Sequence, residues 1–206
     1  VDVLTGKANP CGKLAETYPI SIKDTPTAFR YPDSKEDVEY RESIYIGYRY
    51  YDKVQKAVRY PFGYGLSYTT FEYSDIKLRK KNLSKGEGTK VTFTVKNTGD
   101  IAGAEIAQVY VAKTDSKVYR ALKELKGFVK VYLEPGEEKK VSVELDDRAF
   151  SFWNTATESW CVESGAYGIL VGSSSRDIKL EAEVKMKSED DASIVDMHEA
   201  AEVYFT

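Results

Sequence analysis

Two carboxylates in the first third of the chain have the residue types and spacing to act on a glycosidic bond. Glu42 and Asp52 lie ten positions apart, and Arg41 and Arg49 accompany them. A pair of carboxyl groups can supply the general acid and the nucleophile of glycoside hydrolysis. The same segment is rich in tyrosine, however, and charges between tyrosines more often form ion pairs and hydrogen bonds that fix a segment to the domain beneath it. We therefore predict a structural role for these charges and assign no catalytic residue in the chain.

The sequence lacks the residues needed for several other common types of catalytic or binding site. The single histidine, His198, lies in a charged tail, so a Ser-His-Asp triad would have to use it and a site of several histidines cannot be assembled. Gly63 and Gly65 lie between aromatic residues and do not form the Gly-x-x-x-x-Gly-Lys loop that binds phosphate. We therefore expect no metal, no cofactor and no nucleotide.

Charge and composition narrow the set of partners. The 206 residues carry a formal net charge of -3, which provides no basic field for a phosphate backbone. No apolar run approaches the ~20 residues that span a bilayer. Neither nucleic acid nor a membrane is therefore an expected partner. Cys11 and Cys161 lie far apart in different predicted domains, so we expect both to be reduced and favour a cytoplasmic location over a periplasmic or secreted one.

From residue 71 the sequence changes to short runs of alternating or β-branched residues separated by turns. Residues 89–97, for example, place Val91, Phe93 and Val95 on one face. Asn97-Thr98-Gly99-Asp100 and Glu134-Pro135-Gly136-Glu137 predict turns. The pattern predicts an antiparallel β-sandwich of six or seven strands. We expect strands near residues 71–80, 89–97, 104–112, 125–133, 139–145 and 178–184, with a further buried strand that ends near residue 172.

The residues before and after this sandwich predict less regular structure. Residues 1–4 fit the last turn of a helix that Gly6 ends in a left-handed conformation. Prolines and a later aromatic run, residues 44–52, predict an extended segment or strand that lies on another surface. We call residues 18–60 the arm. Residues 188–206 predict a short amphipathic helix beginning near Ser188, with a disordered tail as the alternative.

Several motifs together resemble those of one enzyme family. They are Asn9-Pro10-Cys11-Gly12-Lys13-Leu14, the segment from Tyr40 to Asp52, the junction Tyr60-Pro61-Phe62-Gly63-Tyr64-Gly65-Leu66-Ser67-Tyr68, and, in the sandwich, Lys123-Glu124-Leu125-Lys126-Gly127-Phe128 and Phe150-Ser151-Phe152-Trp153. In this order they resemble the C-terminal part of a glycoside hydrolase family 3 enzyme, most often a β-glucosidase. Cys11 stands where the family pattern has serine, and Ala15 stands where it has proline.

The resemblance implies a mainly β fold. An immunoglobulin-like, fibronectin type III-like antiparallel β-sandwich would follow an irregular remnant of an α/β sandwich domain. The expected divisions are residues 1–70, the end of the α/β sandwich domain with the extended arm; residues 71–187, the fibronectin type III-like sandwich; and residues 188–206, the tail.

The resemblance also implies a function for the parent enzyme. That enzyme would hydrolyse terminal β-D-glucosyl residues of β-glucosides or cello-oligosaccharides with retention. Its nucleophile and its acid/base would lie in segments that precede those present here. The chain alone is therefore expected to be inactive and to stabilise or space the catalytic domains, which are its expected partners.

Two other functions stay open at this stage. The sandwich could be a carbohydrate-binding module in which Trp153, Trp160 and Tyr167 stack on sugar rings, although Phe152 and Trp153 would point to opposite faces of a strand. Alternatively, Trp153 or Trp160 together with Phe128 would fill core or inter-domain space. A β-sandwich adhesion or scaffold domain rests on fold analogy alone. The incomplete front half predicts exposed apolar surface, and hence a homo-oligomer or association with the missing catalytic domains.

Overall fold

The computed structural model describes residues 1–28, 38, 40 and 42–197, and these form twelve strands and one short α-helix. The elements are β1 (Tyr18–Pro19), α1 (Tyr48–Lys53), β2 (Val58–Tyr60), β3 (Phe71–Leu78), β4 (Asn82–Ser84), β5 (Thr89–Asn97), β6 (Gly103–Ala112), β7 (Glu124–Leu133), β8 (Glu138–Leu145), β9 (Phe152–Asn154), β10 (Ser159–Cys161), β11 (Gly165–Ser174) and β12 (Asp177–Lys187). Single 3-10 turns lie at Ile22–Asp24, Asp147–Ala149 and Asp190–Ser193.

Two sheets form the sandwich. One has five strands in the order β4-β12-β11-β6-β7, and the other has three in the order β3-β5-β8. Every neighbouring pair is antiparallel except β4 with β12. The strand pair β1-β2 and the hairpin β9-β10 form separate two-stranded sheets. The predicted fold class, an antiparallel β-sandwich preceded by an irregular region, is confirmed.

The core lies between the two sheets and follows the period-two pattern of the strands. In β5, Val91, Phe93 and Val95 are fully buried, while Thr92 and Thr94 between them are partly exposed. Each such apolar side chain contributes about 1.5–3 kcal/mol when it is removed from water. The predicted inward face of this strand is therefore the face that packs.

Strand β6 departs from this pattern because both of its faces are covered. Val109 points into the sandwich, and Gln108 and Tyr110, on the opposite face, are buried as well. The cover on the outer side comes from the N-terminal region, by which we mean the described residues before β3. This region therefore packs on the five-stranded sheet and is part of the fold.

The prediction of an extended segment or strand for residues 44–52 is wrong at its end, where α1 forms instead. Gly47 precedes the helix with φ +57° and ψ -133°, a conformation that favours glycine and turns the chain sharply. Tyr48 and Tyr51, three residues apart, then lie on one helical face and are both buried. The β-forming character of these tyrosines is outweighed by the burial that the helical spacing allows.

Both ends of the described chain are short turns. At the start, the Thr5 amide donates to the Val1 carbonyl at 3.0 Å, and Gly6 follows with φ +75°, which is a single helical turn with a left-handed end. At the other end, a 3-10 turn at Asp190–Ser193 stands where an amphipathic helix was predicted. The rest of that predicted helix, including Ala200, Ala201 and Val203, lies outside the described residues, as does His198. In the described ranges, no helix has the length and apolarity needed to cross a bilayer.

Asp190 explains why the tail turns where it does. Its carboxylate accepts a hydrogen bond from the Val162 amide at 3.0 Å and one from Lys85 Nζ at 2.6 Å. Asp191 likewise accepts from the Ser164 amide at 2.9 Å. These carboxylates therefore satisfy backbone donors next to β10 and β11 instead of the first turn of a helix of their own.

Asn97 fixes the turn between β5 and β6. Its side chain is fully buried and donates to the carbonyls of Ile101 at 2.9 Å and Leu133 at 3.1 Å. Its side-chain oxygen accepts from the Thr69 hydroxyl at 2.6 Å and from the Gly99 amide at 3.1 Å. One amide therefore joins the end of the N-terminal region to strands of both sheets.

We predict that Asn97→Ala lowers the free energy of unfolding by about 2–4 kcal/mol, because it leaves several buried polar groups without a partner. Chemical denaturation followed by circular dichroism measures the loss. Thr98→Ala is the matched control, since its exposed hydroxyl contacts only the exposed Thr70 hydroxyl, and it should change stability by less than about 0.5 kcal/mol. Equal losses in the two variants would contradict the role of Asn97.

We also predict that Asp190 makes stability depend on pH. Burial alone would raise the pKa of this carboxyl, but Lys85 and the Val162 amide together lower it. A carboxyl whose folded pKa is lowered stabilises the fold above its unfolded pKa of about 4, and this contribution is lost as pH falls through the folded value. Asp190→Asn should therefore lose stability at pH 7 and show a shallower decline below about pH 4 than the unmodified chain. Denaturation curves between these pH values test this, with the exposed Thr98→Ala, which removes no titratable group, as the control.

Candidate functional site

The N-terminal region is held on the sandwich by the carboxylate of Asp52 in α1. Its Oδ2 accepts a hydrogen bond from Lys123 Nζ at 2.7 Å, and its Oδ1 accepts one from Arg176 Nε at 2.8 Å. Only 7% of the Asp52 side chain is exposed. Both oxygens are thus paired with cations that come from two separate turns of the sandwich.

Arg176 also binds the end of α1 through its second nitrogen. Nη2 donates to the carbonyls of Tyr51 at 3.2 Å and Lys56 at 2.9 Å. Carbonyls at the end of a helix lack partners within the helix and carry partial negative charge, so a guanidinium suits them. Arg176 therefore fixes both the side chain of Asp52 and the backbone that follows it.

Aromatic packing fills the space beside this ion pair. The Tyr48 ring lies 4.9 Å from the Phe62 ring and 6.0 Å from the Tyr110 ring, measured between centroids. The Leu125 amide donates to the Tyr48 hydroxyl at 2.8 Å. Burial raises the pKa of Tyr110 well above its ordinary value, so its hydroxyl keeps its proton and donates to Gln108.

Gln108 then joins three parts of the chain. Its Nε2 donates to the carbonyl of Gly63 at 3.1 Å and to that of Ser173 at 2.8 Å. A Cβ at Gly63 would lie 2.1 Å from Gln108 Oε1, and Gly63 has φ +79°. Glycine is therefore required here for both the approach and the conformation, which explains one residue of the junction motif.

The loop at residues 9–14 completes the contact. Asn9 donates through Nδ2 to the Ala102 carbonyl at 3.0 Å and accepts from the Tyr68 amide at 2.8 Å. Lys13 Nζ lies 2.8 Å from Glu105 Oε1, and both side chains are largely buried. Asn9 and Lys13, which belong to the Asn-Pro-x-Gly-Lys motif, therefore each bind the sandwich.

The described charged residues that were considered for hydrolysis take part in structural contacts instead. Asp52 has no free oxygen to offer a substrate. Arg49 Nη2 lies 3.7 Å from Glu124, and Glu42 is half-buried, with its backbone carbonyl bonded to the Tyr45 amide. Arg41 lies outside the described residues. Among those that are described, no group of three or more His, Cys, Asp or Glu side chains is placed to hold a metal ion.

Of the aromatic residues that were considered for sugar binding or for packing, one is buried and three are exposed. Tyr167 is fully buried against Phe150, so it cannot stack on a sugar. Phe128, Trp153 and Trp160 are exposed to 66%, 49% and 41%, so they do not fill the core of this chain. That they fill space between domains stays a prediction. Trp153 and Trp160 are opposite each other in the β9-β10 hairpin. The sequence argument considered only the neighbours Phe152 and Trp153 and did not predict this pair.

Sequence reasoning also missed the partners of Asp52. Lys123 and Arg176 are 71 and 124 residues away along the chain. A usable signal existed only for other contacts of the N-terminal region: Glu105 and Gln108 are polar residues within the otherwise apolar strand β6, and both are buried.

The N-terminal region exposes many large apolar side chains to solvent. Tyr18 and Tyr60 form a cross-strand pair with ring centroids 6.4 Å apart, and Tyr64 stacks on Tyr60 at 5.1 Å. Large apolar side chains of this region that are exposed are Val1, Val3, Leu4, Tyr18, Ile20, Ile22, Val38, Tyr40, Ile44, Ile46, Tyr60, Leu66 and Tyr68. A concentration of this kind marks a surface that contacts another protein surface.

Comparison with known families matches both parts of the chain. Residues 1–68 match the glycosyl hydrolase family 3 C-terminal domain, and residues 105–175 match the fibronectin type III-like domain.

Known proteins extend the match across most of the chain. Thermostable β-glucosidase B of Acetivibrio thermocellus is 51% identical over 187 residues, which are 91% of this chain and 25% of that protein. The exo-α-(1→6)-L-arabinopyranosidase of Bifidobacterium breve is 48% identical over 177 residues, covering 86% of this chain and 23% of that protein. The crystal structure of a family 3 β-glucosidase from Bifidobacterium adolescentis superposes with a TM-score of 0.84 at 45% identity, over 90% of this chain and 27% of that one.

The chain spans about a quarter of the length of the curated relatives that it matches. The two matched regions, residues 1–68 and 105–175, contain nearly all of the N-terminal region and most of the sandwich. The chain therefore belongs to glycoside hydrolase family 3 and corresponds to the C-terminal part of its members.

Proposed function

We propose that this chain is the non-catalytic C-terminal part of a β-glucosidase and that it holds the catalytic domains of that enzyme in place. One observation carries the proposal. The N-terminal region is bound to the sandwich through Asp52, Gln108 and Asn9, and it leaves thirteen large apolar side chains exposed. A segment that is fixed to one domain and still exposes large apolar side chains is suited to lie between two domains.

The chemistry of the proposed enzyme would come from its other domains. A retaining glycosidase needs two carboxyl groups about 5–5.5 Å apart, one as nucleophile and one as acid/base. The Asp52 carboxylate is bound by two cations and contributes to neither role. The sandwich would contribute stability and spacing, because it fixes the region against which the catalytic domains pack.

The proposed substrates are β-glucosides, including cello-oligosaccharides, from which a terminal β-D-glucosyl residue would be removed with retention. The name β-glucosidase recurs among the relatives and solved structures. One relative at 48% identity is named for an arabinopyranoside instead. We propose that the residues that select the sugar lie in the catalytic domains.

We also infer a cytoplasmic location and association through the N-terminal region. Cys11 and Cys161 are both free thiols in the structure, which supports a reducing compartment. In the absence of catalytic domains, the exposed apolar side chains of the region support formation of a homo-oligomer. Neither a nucleic acid nor a membrane is part of the proposal.

The role of Asp52 gives a prediction that separates anchoring from catalysis. Asp52→Ala should lower the free energy of unfolding by about 3–5 kcal/mol, because two partly buried cations lose their partner. The double variant with Lys123→Met should lose less than the sum of the two single losses. Denaturation measures both, and an aryl β-glucoside assay on the same samples should show no turnover above the blank in any of them. Turnover by the unmodified chain that disappears in Asp52→Ala would instead make the arm catalytic.

Contact with catalytic domains is tested at Ile22, which is 80% exposed. Ile22→Asp should leave the stability of this chain within about 0.5 kcal/mol, since the side chain buries little within it. In a longer family 3 enzyme that carries the same sequence and its catalytic domains, the same change should lower the melting temperature and the aryl β-glucosidase activity. Ile101→Asp, at an exposed position of the sandwich, is the control that should do neither. An unchanged longer enzyme would contradict the proposed contact.

A further inference from the structure

The β9-β10 hairpin carries both tryptophans of the chain on one side, far in sequence from the contacts described above. Trp153 and Trp160 are direct cross-strand partners, with ring centroids 5.4 Å apart and planes inclined at 69°. The guanidinium carbon of Arg148 lies 3.6 Å from the centroid of the Trp160 ring. We call residues 148–161 the tryptophan hairpin. Its two indoles and its guanidinium have no part in the anchoring of the N-terminal region.

The hairpin is attached to the sandwich through its other side. Asn154 is buried and donates to the Ser193 carbonyl at 3.2 Å, and Cys161 is buried as well. The amide of Val162, just after β10, is held by Asp190. The tryptophans are therefore not required to attach the hairpin, and close to half of each indole faces solvent.

The surroundings of the indoles decide which kind of ligand fits. The exposed residues beside them in the sequence are rich in hydroxyl and carboxyl groups: Asp146, Thr155, Thr157, Glu158 and Ser159. Two indoles form a much smaller patch than the ~800 Å² per partner of a stable protein interface. A ligand with one apolar face and many hydroxyls matches this combination better than a protein surface does, in contrast to the many exposed apolar side chains of the N-terminal region.

We propose that the tryptophan hairpin binds a β-linked gluco-oligosaccharide. The C–H face of one pyranose ring lies on the exposed indole of Trp153, where it replaces water on apolar surface. Its hydroxyls accept from Arg148, whose guanidinium is already held in place by the Trp160 ring. The choice of a glucan rests on the proposed function, whereas the stacking site itself rests on the hairpin.

Titration with cellotetraose tests this on the chain as it stands. The sequence has two tryptophans, so all of the indole fluorescence comes from this hairpin. We expect a saturable change in emission on addition of sugar, and at least tenfold weaker binding by Trp153→Ala. Trp153→Phe keeps an aromatic ring in the cross-strand pair and should bind within about threefold of the unmodified chain. Phe128→Ala removes an aromatic exposed elsewhere and should leave the titration unchanged.

Three results would overturn the proposal. The first is the absence of a saturable emission change up to about 10 mM cellotetraose, a range that includes weak sugar binding. The second is equal binding by the unmodified chain and Trp153→Ala, with isothermal calorimetry as the second readout. The third is an emission change that follows protein concentration without sugar, which would assign the hairpin to contact between copies. None of these results affects the Ile22 experiment, so failure here and failure of the proposed function remain distinguishable.

Discussion

The structure depends on a single carboxylate that is removed from water between two cations. Asp52 would be costly to bury alone, and the attraction of Lys123 and Arg176 offsets that cost only when both are in place. The two cations stand in different turns of the sandwich, one before β7 and one between β11 and β12. The sheet that contains β7, β6, β11 and β12 brings the two cations together. The position of α1 therefore depends on the folded sandwich.

The outer face of the five-stranded sheet depends in turn on the N-terminal region, which covers it. A sheet face that carries Gln108 and Tyr110 would ordinarily be solvated, but here Gly63, Phe62 and Tyr48 cover it. The polar groups remain satisfied because Gln108 bonds to backbone carbonyls at 2.8 and 3.1 Å. Burial of this face thus requires both a glycine that allows close approach and a side chain that supplies the hydrogen bonds. The junction motif provides the first, and the strand provides the second.

The sequence predicted those features that depend on local pattern. The alternation in β5 and the turn at Asn97 follow from period-two burial and turn chemistry, and both are seen. The helix α1 was missed because its tyrosines favour strands, and only the turn at Gly47 and the burial of Tyr48 reverse that preference. The pairing of Asp52 with Arg176 spans 124 residues, and no local pattern encodes it. The family resemblance placed the arm with the end of an α/β sandwich domain, ahead of the fibronectin type III-like sandwich, and it did not identify the contacts between them.

Anchoring of the N-terminal region also bears on how it would contact a catalytic domain. A flexible segment loses conformational entropy when it binds, and that loss weakens the contact. Here the backbone next to the exposed apolar side chains is already held, by Arg176 after α1 and by Asn9 at the end of the junction. The tyrosines of β1 and β2 pack on one another before any partner is present. The charges of the arm therefore assist a contact made elsewhere on the region: they fix its backbone, so that its apolar side chains are presented in a single arrangement.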